Sequence, residues 1–434
     1  MTYFFAQLSR EWRFMLRQKY ILVLLACTLL ISGFSVFSGL NEIAQQQQTI
    51  ARLKAADTQD RAAAQAKHHD VGSIAYYSFH LTYSMPTDLA FAALGERDIF
   101  PWKHRIKVLA LEGQIYESDT QNPELAQGGK IDFVFVLSAL SPLLVILLFH
   151  DLFASERTAG RHDLLVTTAK SPWALWGARS ATRFICLLFC LMLPFYIGAW
   201  LSGTNLGHVV LVSLYSLIYL GFWTLISLYW GKKASSAPRV ASGLIGVWVL
   251  FAFIIPILGD LAINNSVHSP KGGDILLTQR EAVNDAWDIP KKVTMDKFTN
   301  TYPEWKDHVA MQSMFEWKWY FAFQQVGDQS AASLSQAYRE AAQKKYELAG
   351  YASLLSPPLL LQRLLTRLAD TDAVAAFQYE QQIRDFHQQL RLFYYPFLFT
   401  DKPLGAKQLA SMPSFEKLIQ KPKADIKSST DTAQ

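Results

Sequence analysis

Cysteine is scarce in this 434-residue chain: there are three, Cys27, Cys186 and Cys190, and each falls inside an apolar run. The water-exposed stretches therefore hold no thiol, which excludes a disulfide framework there and gives no sign of redox chemistry. Cys186 and Cys190 stand four apart on one helical face, but no His or acidic residue lies nearby, so plain packing accounts for them better than a metal site. Charge is thin as well. Only 18% of the residues are charged, the net charge is +5, and the basic residues gather beside apolar runs instead of forming a stripe with interleaved aromatics. That pattern argues against nucleic acid as a partner. The chain also lacks a Gly-x-x-x-x-Gly-Lys-Ser/Thr loop, so it has no usual nest for nucleotide phosphates. It lacks His-Glu-x-x-His and Gly-x-Ser-x-Gly too, and the adjacent His68, His69 and Asp70 fall in a helical or linker region where solvated polar residues are the default.

What is abundant is apolar content, 51% of the chain, concentrated in a few long runs. Five of them reach the roughly 20 residues needed to cross about 30 Å of hydrocarbon. They cover residues 20–40, 131–150, 184–202, 208–230 and 240–263, and being continuously apolar they fit helices, not the alternating strands of a barrel. The fold class predicted is an all-α integral membrane protein with five transmembrane helices and two mostly helical extracytoplasmic domains. The first run is too long for a signal-peptide core and ends at Gly39, Leu40, Asn41 and Glu42 without the usual small-x-small cleavage pattern, so it reads as an uncleaved anchor.

Basic residues set the orientation. Arg10, Arg13, Arg17 and Lys19 precede the first run, and the positive-inside tendency puts that end in the cytoplasm. Alternation then makes the linkers 151–183 and 231–239 cytoplasmic, and both carry Lys and Arg, whereas the tight connection Gly203–Gly207 carries neither. Residues 41–130 and 264–434 fall on the outer side, together with the C-terminus. The first of these reads as helix from Glu42 to roughly Lys67 and then as a mixed segment containing Pro86, Gly95 and Pro101. The second reads as helices near 275–288, 307–326, 329–349 and 372–393, separated by Pro290, Pro303, Gly327 and the pair Pro357 and Pro358. The aromatic stretch Leu392–Phe399 is too short to cross; it rests at the outer membrane boundary or on a partner, or is buried in its own domain. Residues 1–19 repeat Phe4, Phe5, Leu8, Trp12, Met15 and Leu16 at helical spacing among arginines, as an interfacial helix on the inner leaflet would.

Within the runs, ionisable groups sit near the ends: Asp132 and Asp260 at outer ends, His150 and Asp151 at an inner end. Ion-coupled transport, which uses such groups mid-membrane, loses support. The fourth run is rich in hydroxyls: Ser213, Tyr215, Ser216, Tyr219, Thr224 and Ser227. Ser213 and Ser216 could face a partner helix or a substrate path, although hydroxyls commonly bond back to their own helix. Ser242 and Gly246 form a small-xxx-small pair suited to close helix contact.

The linker after the second run is the most informative stretch. Glu156 and Gly160 stand one helical turn apart just below the bilayer, and Leu164 and Leu165 belong to a short helix ending near Ser171 and Pro172. Such a helix is too polar to span and too apolar to float free. On the residues alone it either docks on a protein surface or caps the second span. The order Glu156, Arg157, Gly160, Leu164, Leu165, Ser171 and Arg179 before a new span resembles the ABC type-2 permeases, with Arg161 where that family usually has Thr. The resemblance implies that the segment is the coupling helix docking in a groove of a nucleotide-binding subunit. The run Leu355–Gln362, then Leu368–Thr371, Phe386 and His387, is similar to an uncharacterised branch of these permeases with large extracytoplasmic insertions after the first and fifth helices. Members usually finish with a sixth spanning helix, where here Phe415, Glu416 and Lys417 lead into a polar tail ending at Gln434.

The function this resemblance implies is the permease subunit of an ATP-driven exporter in the inner (plasma) membrane. The chain itself binds no cofactor; ATP and Mg belong to a partner ABC ATPase subunit, and a second permease, paralogous or identical, completes the pathway. A scaffold whose outer domains bind a partner protein fits the absent last helix, and a membrane-anchored hydrolase is the third class.

Overall fold

Continuously apolar backbone satisfies its hydrogen bonds internally only as helix, and helix dominates this chain. The computed structural model describes residues 2–116, 131–233, 236–400 and 402–419. Helix α1 (Thr2–Met15) is followed by α2 (Lys19–Lys67), α3 (Val71–Tyr77), the antiparallel strands β1 (His80–Tyr83) and β2 (Lys103–Ile106), and α4 (Glu112–Tyr116). Then come α5 (Phe133–Thr158), α6 (His162–Thr168), α7 (Pro172–Ser202), α8 (Leu206–Lys233) and α9 (Ala237–Ser266). The remainder comprises α10 (Gly272–Asp285), α11 (Lys291–Thr301), α12 (Trp317–Ser353), α13 (Pro357–Leu368), α14 (Ala373–Thr400), α15 (Ala406–Ala410) and α16 (Phe415–Ile419).

Among the described residues, five helices are long and apolar enough to cross a membrane: α2, α5, α7, α8 and α9. They enclose the five apolar runs and pack as one bundle, with Phe133, Phe149, Phe195, Leu220 and Trp223 in its core. Helix α2 is much longer than its apolar run. At 49 residues it continues without a break through the stretch expected as a separate helix from Glu42, because Ala, Gln and charged residues carry helix on beyond the apolar part. Helix α1 is separated from α2 by Leu16–Gln18, so it is not an extension of the first apolar run. It lies along α7 with Gln7, Glu11 and Met15 buried at four-residue spacing, while Phe4, Phe5, Trp12 and Leu16 stay exposed.

Two π-helical turns, Val136–Leu140 in α5 and Leu250–Ile254 in α9, interrupt the bundle. A π turn disturbs the regular ladder and leaves carbonyls to be satisfied from outside. Here the Tyr219 hydroxyl donates to Ser138 O, Trp248 Nε1 donates to Ala139 O at 3.1 Å, and Ser356 Oγ donates to Phe251 O at 2.6 Å. Ser356 is the N-cap of α13, and Leu361 and Leu365 from this later helix, with Ala369 just after it, sit in the bundle core, as do Leu89–Leu94.

The other stretches form a second lobe on the end of α2 that bears Ile50 and Leu53. Its two sequence pieces were expected as two domains. They share one core, in which Leu81, Tyr83 and Ile106 from the first meet Phe323, Phe386 and Tyr394 from the second. Three boundaries also differ from expectation. The helix expected from 307 starts at Trp317, after a tight turn at Pro303–His308. Gly327 does not break it: a Cβ there would lie 2.5 Å from Val283 Cγ2, so the glycine serves close approach of α10. Helix α14 runs through Pro396 to Thr400, held by packing, and the aromatic stretch it carries is lobe core, with Tyr394, Tyr395 and Phe399 buried. Phe298 stacks on Phe399 at 5.0 Å between ring centroids. The polar tail to Gln434 lies outside the described residues.

Candidate functional site

At the end of the bundle opposite the lobe, charged side chains from α1, α5, α7 and the turn after α5 converge. Arg179 of α7 is central: its Nε donates to Glu11 Oε2 at 2.9 Å and its Nη1 to Glu156 Oε1 at 3.0 Å. Glu156 receives a second donor, Arg161 Nε, at 2.9 Å on Oε2. Glu11, Glu156 and Arg179 are all buried. Such a triad is tolerated only because each carboxylate has a guanidinium donor and the guanidinium has two acceptors; an unpaired member would carry the full desolvation cost. The guanidinium also lies over Trp176 and Phe14, at 5.2 and 5.4 Å from the ring centroids.

One helical turn further along α7, Arg183 pairs with Asp151 at 3.0 Å and donates to Leu148 O, while Tyr20 of α2 donates to Asp151 Oδ2 at 2.7 Å. Arg157 Nη2 donates to Lys232 O at 2.7 Å, placing a cation at the carbonyl end of α8, where the helix dipole favours it. The starts of α2 and α7 and the ends of α5 and α8 are thus tied together, with α1 clamped beside them.

The segment singled out in the sequence lies directly on this cluster. Glu156 is inside it and Arg157 at its flank. Gly160 follows with φ of +67°, a left-handed value that glycine adopts freely and that turns the chain sharply out of α5. Beyond the turn, α6 has no buried residue, and Leu164 is 63% exposed; Leu165 is half-buried. His162, the first residue of α6, stacks on Trp176 at 5.7 Å. The result is a short helix held at its base by a buried ion cluster and presenting a leucine outward.

The lobe adds an unforeseen feature. Helix α4 and the chain before it are lashed to α12 and α14. Asp328 accepts from the Leu111 and Glu112 amides at 2.8 and 3.2 Å and from Arg391 Nη2 at 2.7 Å. His387 Nε2 faces Lys107 O and Leu109 O at 3.1 and 2.8 Å, so this nitrogen carries the proton. Burial, then the nearby Arg391 charge, push the His387 pKa well down, keeping the ring neutral. Much of this region is similar to a described family profile. A profile described as a domain of unknown function, DUF3526, matches residues 275–417. That match spans α10 from Ile275 to Lys417 in α16 and includes Asp328, His387 and Arg391. No curated protein and no solved structure matches the chain.

The remaining sequence-selected residues are scattered. In α8, Ser213 Oγ donates back to Val209 O at 2.7 Å and lies 3.0 Å from the Tyr196 hydroxyl, and Ser216 Oγ donates back to Val212 O at 2.7 Å. Ser242 bonds back to Pro238 O at 2.8 Å, and a Cβ at Gly246 would meet nothing within 4 Å. Within the chain, close helix contact comes instead at Gly243, whose Cβ would lie 2.7 Å from the Trp230 ring. Asp132 is a cap, accepting from the Leu94 and Phe135 amides at 2.9 and 2.8 Å. Asp70 caps α3 through the Ser73 amide at 2.7 Å.

Glu11, Asp151 and Tyr20 were not identified as site residues from sequence. The one available signal for Glu11 is that it is an acidic residue on the Gln7–Met15 face of a helix otherwise rich in arginine.

Proposed function

We propose that this chain is the membrane subunit of an ATP-binding-cassette exporter of the type-2 permease kind, driven by a separate nucleotide-binding subunit that docks on the end of α5 and on α6. The observation carrying this reading is the exposed Leu164 on a short helix whose base is braced by the Glu11–Arg179–Glu156 cluster. A docking element has to be outward-facing to meet its partner, yet stiffly joined to the spanning helices to pass on displacement. An isolated cap on α5 would need neither property.

On this reading the cluster end faces the cytoplasm, as the neighbouring Arg10, Arg13, Arg17, Lys170, Lys232 and Lys233 favour. The lobe then lies outside, and ATP and Mg are held by the partner. A second permease would meet α9, the most peripheral of the five apolar helices: only 11% of its apolar window is buried, and Ser242 and Gly246 are on its open side. The test is co-purification with a co-expressed ABC ATPase and measurement of stimulated ATP hydrolysis. Leu164→Asp abolishes capture while the chain still folds and inserts; capture that survives removal of residues 151–180 overturns the reading.

A further inference from the structure

The lobe contains a cleft of about 1030 Å³, at the large end of the range that holds small-molecule ligands. The β1–β2 hairpin, the chain from Arg97 to Trp102, α10, and the lashed segment Lys107–Ala110 form its walls. Its charge is one-sided: Arg97, Lys103, Arg105, Lys107 and Arg280 line it against Glu42 and Asp98. Its apolar lining is substantially aromatic, with Phe79, Phe100 and Trp102.

The cations are not equivalent. Arg105 is committed to Asp60 at 2.7 Å, and Arg97 donates to Gln46 Oε1 at 2.8 Å and Ser84 Oγ at 2.9 Å. No carboxylate pairs with Lys107 or Arg280 among the described residues. The Lys107 ammonium lies over aromatic faces instead, 4.5 Å from the Phe79 centroid and 5.0 Å from that of Tyr76. Partial burial lowers its pKa somewhat, as expected for a cation lacking a counter-charge. Both backbone groups of Lys107 are held by hydrogen bonds. The Lys107 amide donates to Gln114 Oε1 at 2.7 Å and its carbonyl faces His387, so the side chain projects from a tethered strut.

We propose that this cleft binds a small amphiphilic anion, a carboxylate or sulfonate on a flat apolar body. Lys107 and Arg280 take the anionic group, while Phe79, Phe100 and Trp102 take the body. A bare inorganic anion would leave the aromatic walls unused, and a neutral aromatic would leave the two cations without a counter-charge. This inference concerns the lobe alone and does not depend on ATPase docking.

The test uses the full chain in nanodiscs of zwitterionic lipid, titrated calorimetrically with 2-naphthoate, its neutral analogue 2-naphthamide, and inorganic phosphate. Saturable naphthoate binding is expected, weakened about tenfold by loss of the charged contact in Lys107→Gln or Arg280→Gln. Lys344→Gln, on the exposed side of α12, leaves it unchanged. Arg280 is exposed, so its variant reads binding even if Lys107→Gln disturbs the fold. The proposal is overturned by any of four results: no saturable heat, equal affinity for the amide, equal affinity for phosphate, or naphthoate binding that persists in the doubly substituted chain.

Discussion

Arg179 and Glu11 are separated by 168 positions yet meet at 2.9 Å, and the same guanidinium reaches Glu156 at 3.0 Å. One buried cation thus balances two buried carboxylates and joins three helices at the end of the bundle. Replacing it with Met leaves two buried carboxylates short of a donor, a loss of about 3–5 kcal/mol. Arg161→Met removes a partner that is 61% exposed at the side chain and costs under about 1 kcal/mol. Thermal unfolding of the two variants in detergent checks the contrast. Equal effects would show that Arg179 does not hold the cluster.

Gly160 tests the turn independently of packing. Its φ is +67° and a Cβ would meet nothing within 4 Å, so Gly160→Ala adds backbone strain of about 1–2 kcal/mol and no clash. The expected outcome is a small fall in unfolding temperature accompanied by a larger fall in stimulated ATP hydrolysis by the complex. Hydrolysis unaffected by the substitution would detach α6 from the coupling role.

Gly39 is a close-approach glycine of a different kind. A Cβ there would lie 1.9 Å from the backbone oxygen of Phe91, whereas at Gly33, on the same helix, it would meet nothing within 4 Å. Gly39→Ala should destabilise by at least about 1–3 kcal/mol through overpacking against main chain that cannot step aside. Gly33→Ala should leave stability unchanged or slightly raised by helix propensity. Paired melting curves decide it.

Acid should weaken the lobe through its buried histidines. Burial, then the Arg61 charge, depress the pKa of His80 to about 3, and neither ring nitrogen has a hydrogen-bond partner. Below the ordinary histidine value near 6.5 the unfolded chain takes up a proton that the folded lobe refuses, so stability falls as pH drops from about 6.5 toward 3. His80 packs edge-on against Phe386, and His387, also held neutral, adds to the same slope. His80→Phe should flatten the loss of lobe stability between pH 7 and pH 5, read by near-ultraviolet dichroism melts. A slope identical to that of the parent chain would remove His80 from the account.

Five apolar helices were legible from composition because hydropathy and helix formation are properties of neighbouring residues. The Glu156–Leu165 segment was legible for a similar reason: an acid, a glycine and a leucine pair stand close together along the chain. Glu11 was not, since its one local sign, an acid on a helix otherwise rich in arginine, does not separate a carboxylate that faces solvent from one that meets an arginine on another helix. Gly327 misled because glycine weakens isolated helix, while here packing against Val283 requires it. The cleft was equally hidden. Its cations come from β2, α10 and the chain following each strand, and a charge becomes part of a basic wall only when the chain brings it there.

Local chemistry alone therefore dictated which stretches are apolar helix and which are polar, since each residue's transfer free energy and backbone preference travel with it. Long-range packing decided that the two polar pieces close over one core, that α13 enters the bundle, and that Arg179, Arg183 and Arg391 rather than the other arginines are buried. Those outcomes depend on sharing desolvation and hydrogen bonds among groups far apart in sequence, and such terms have no value until the partners are in contact.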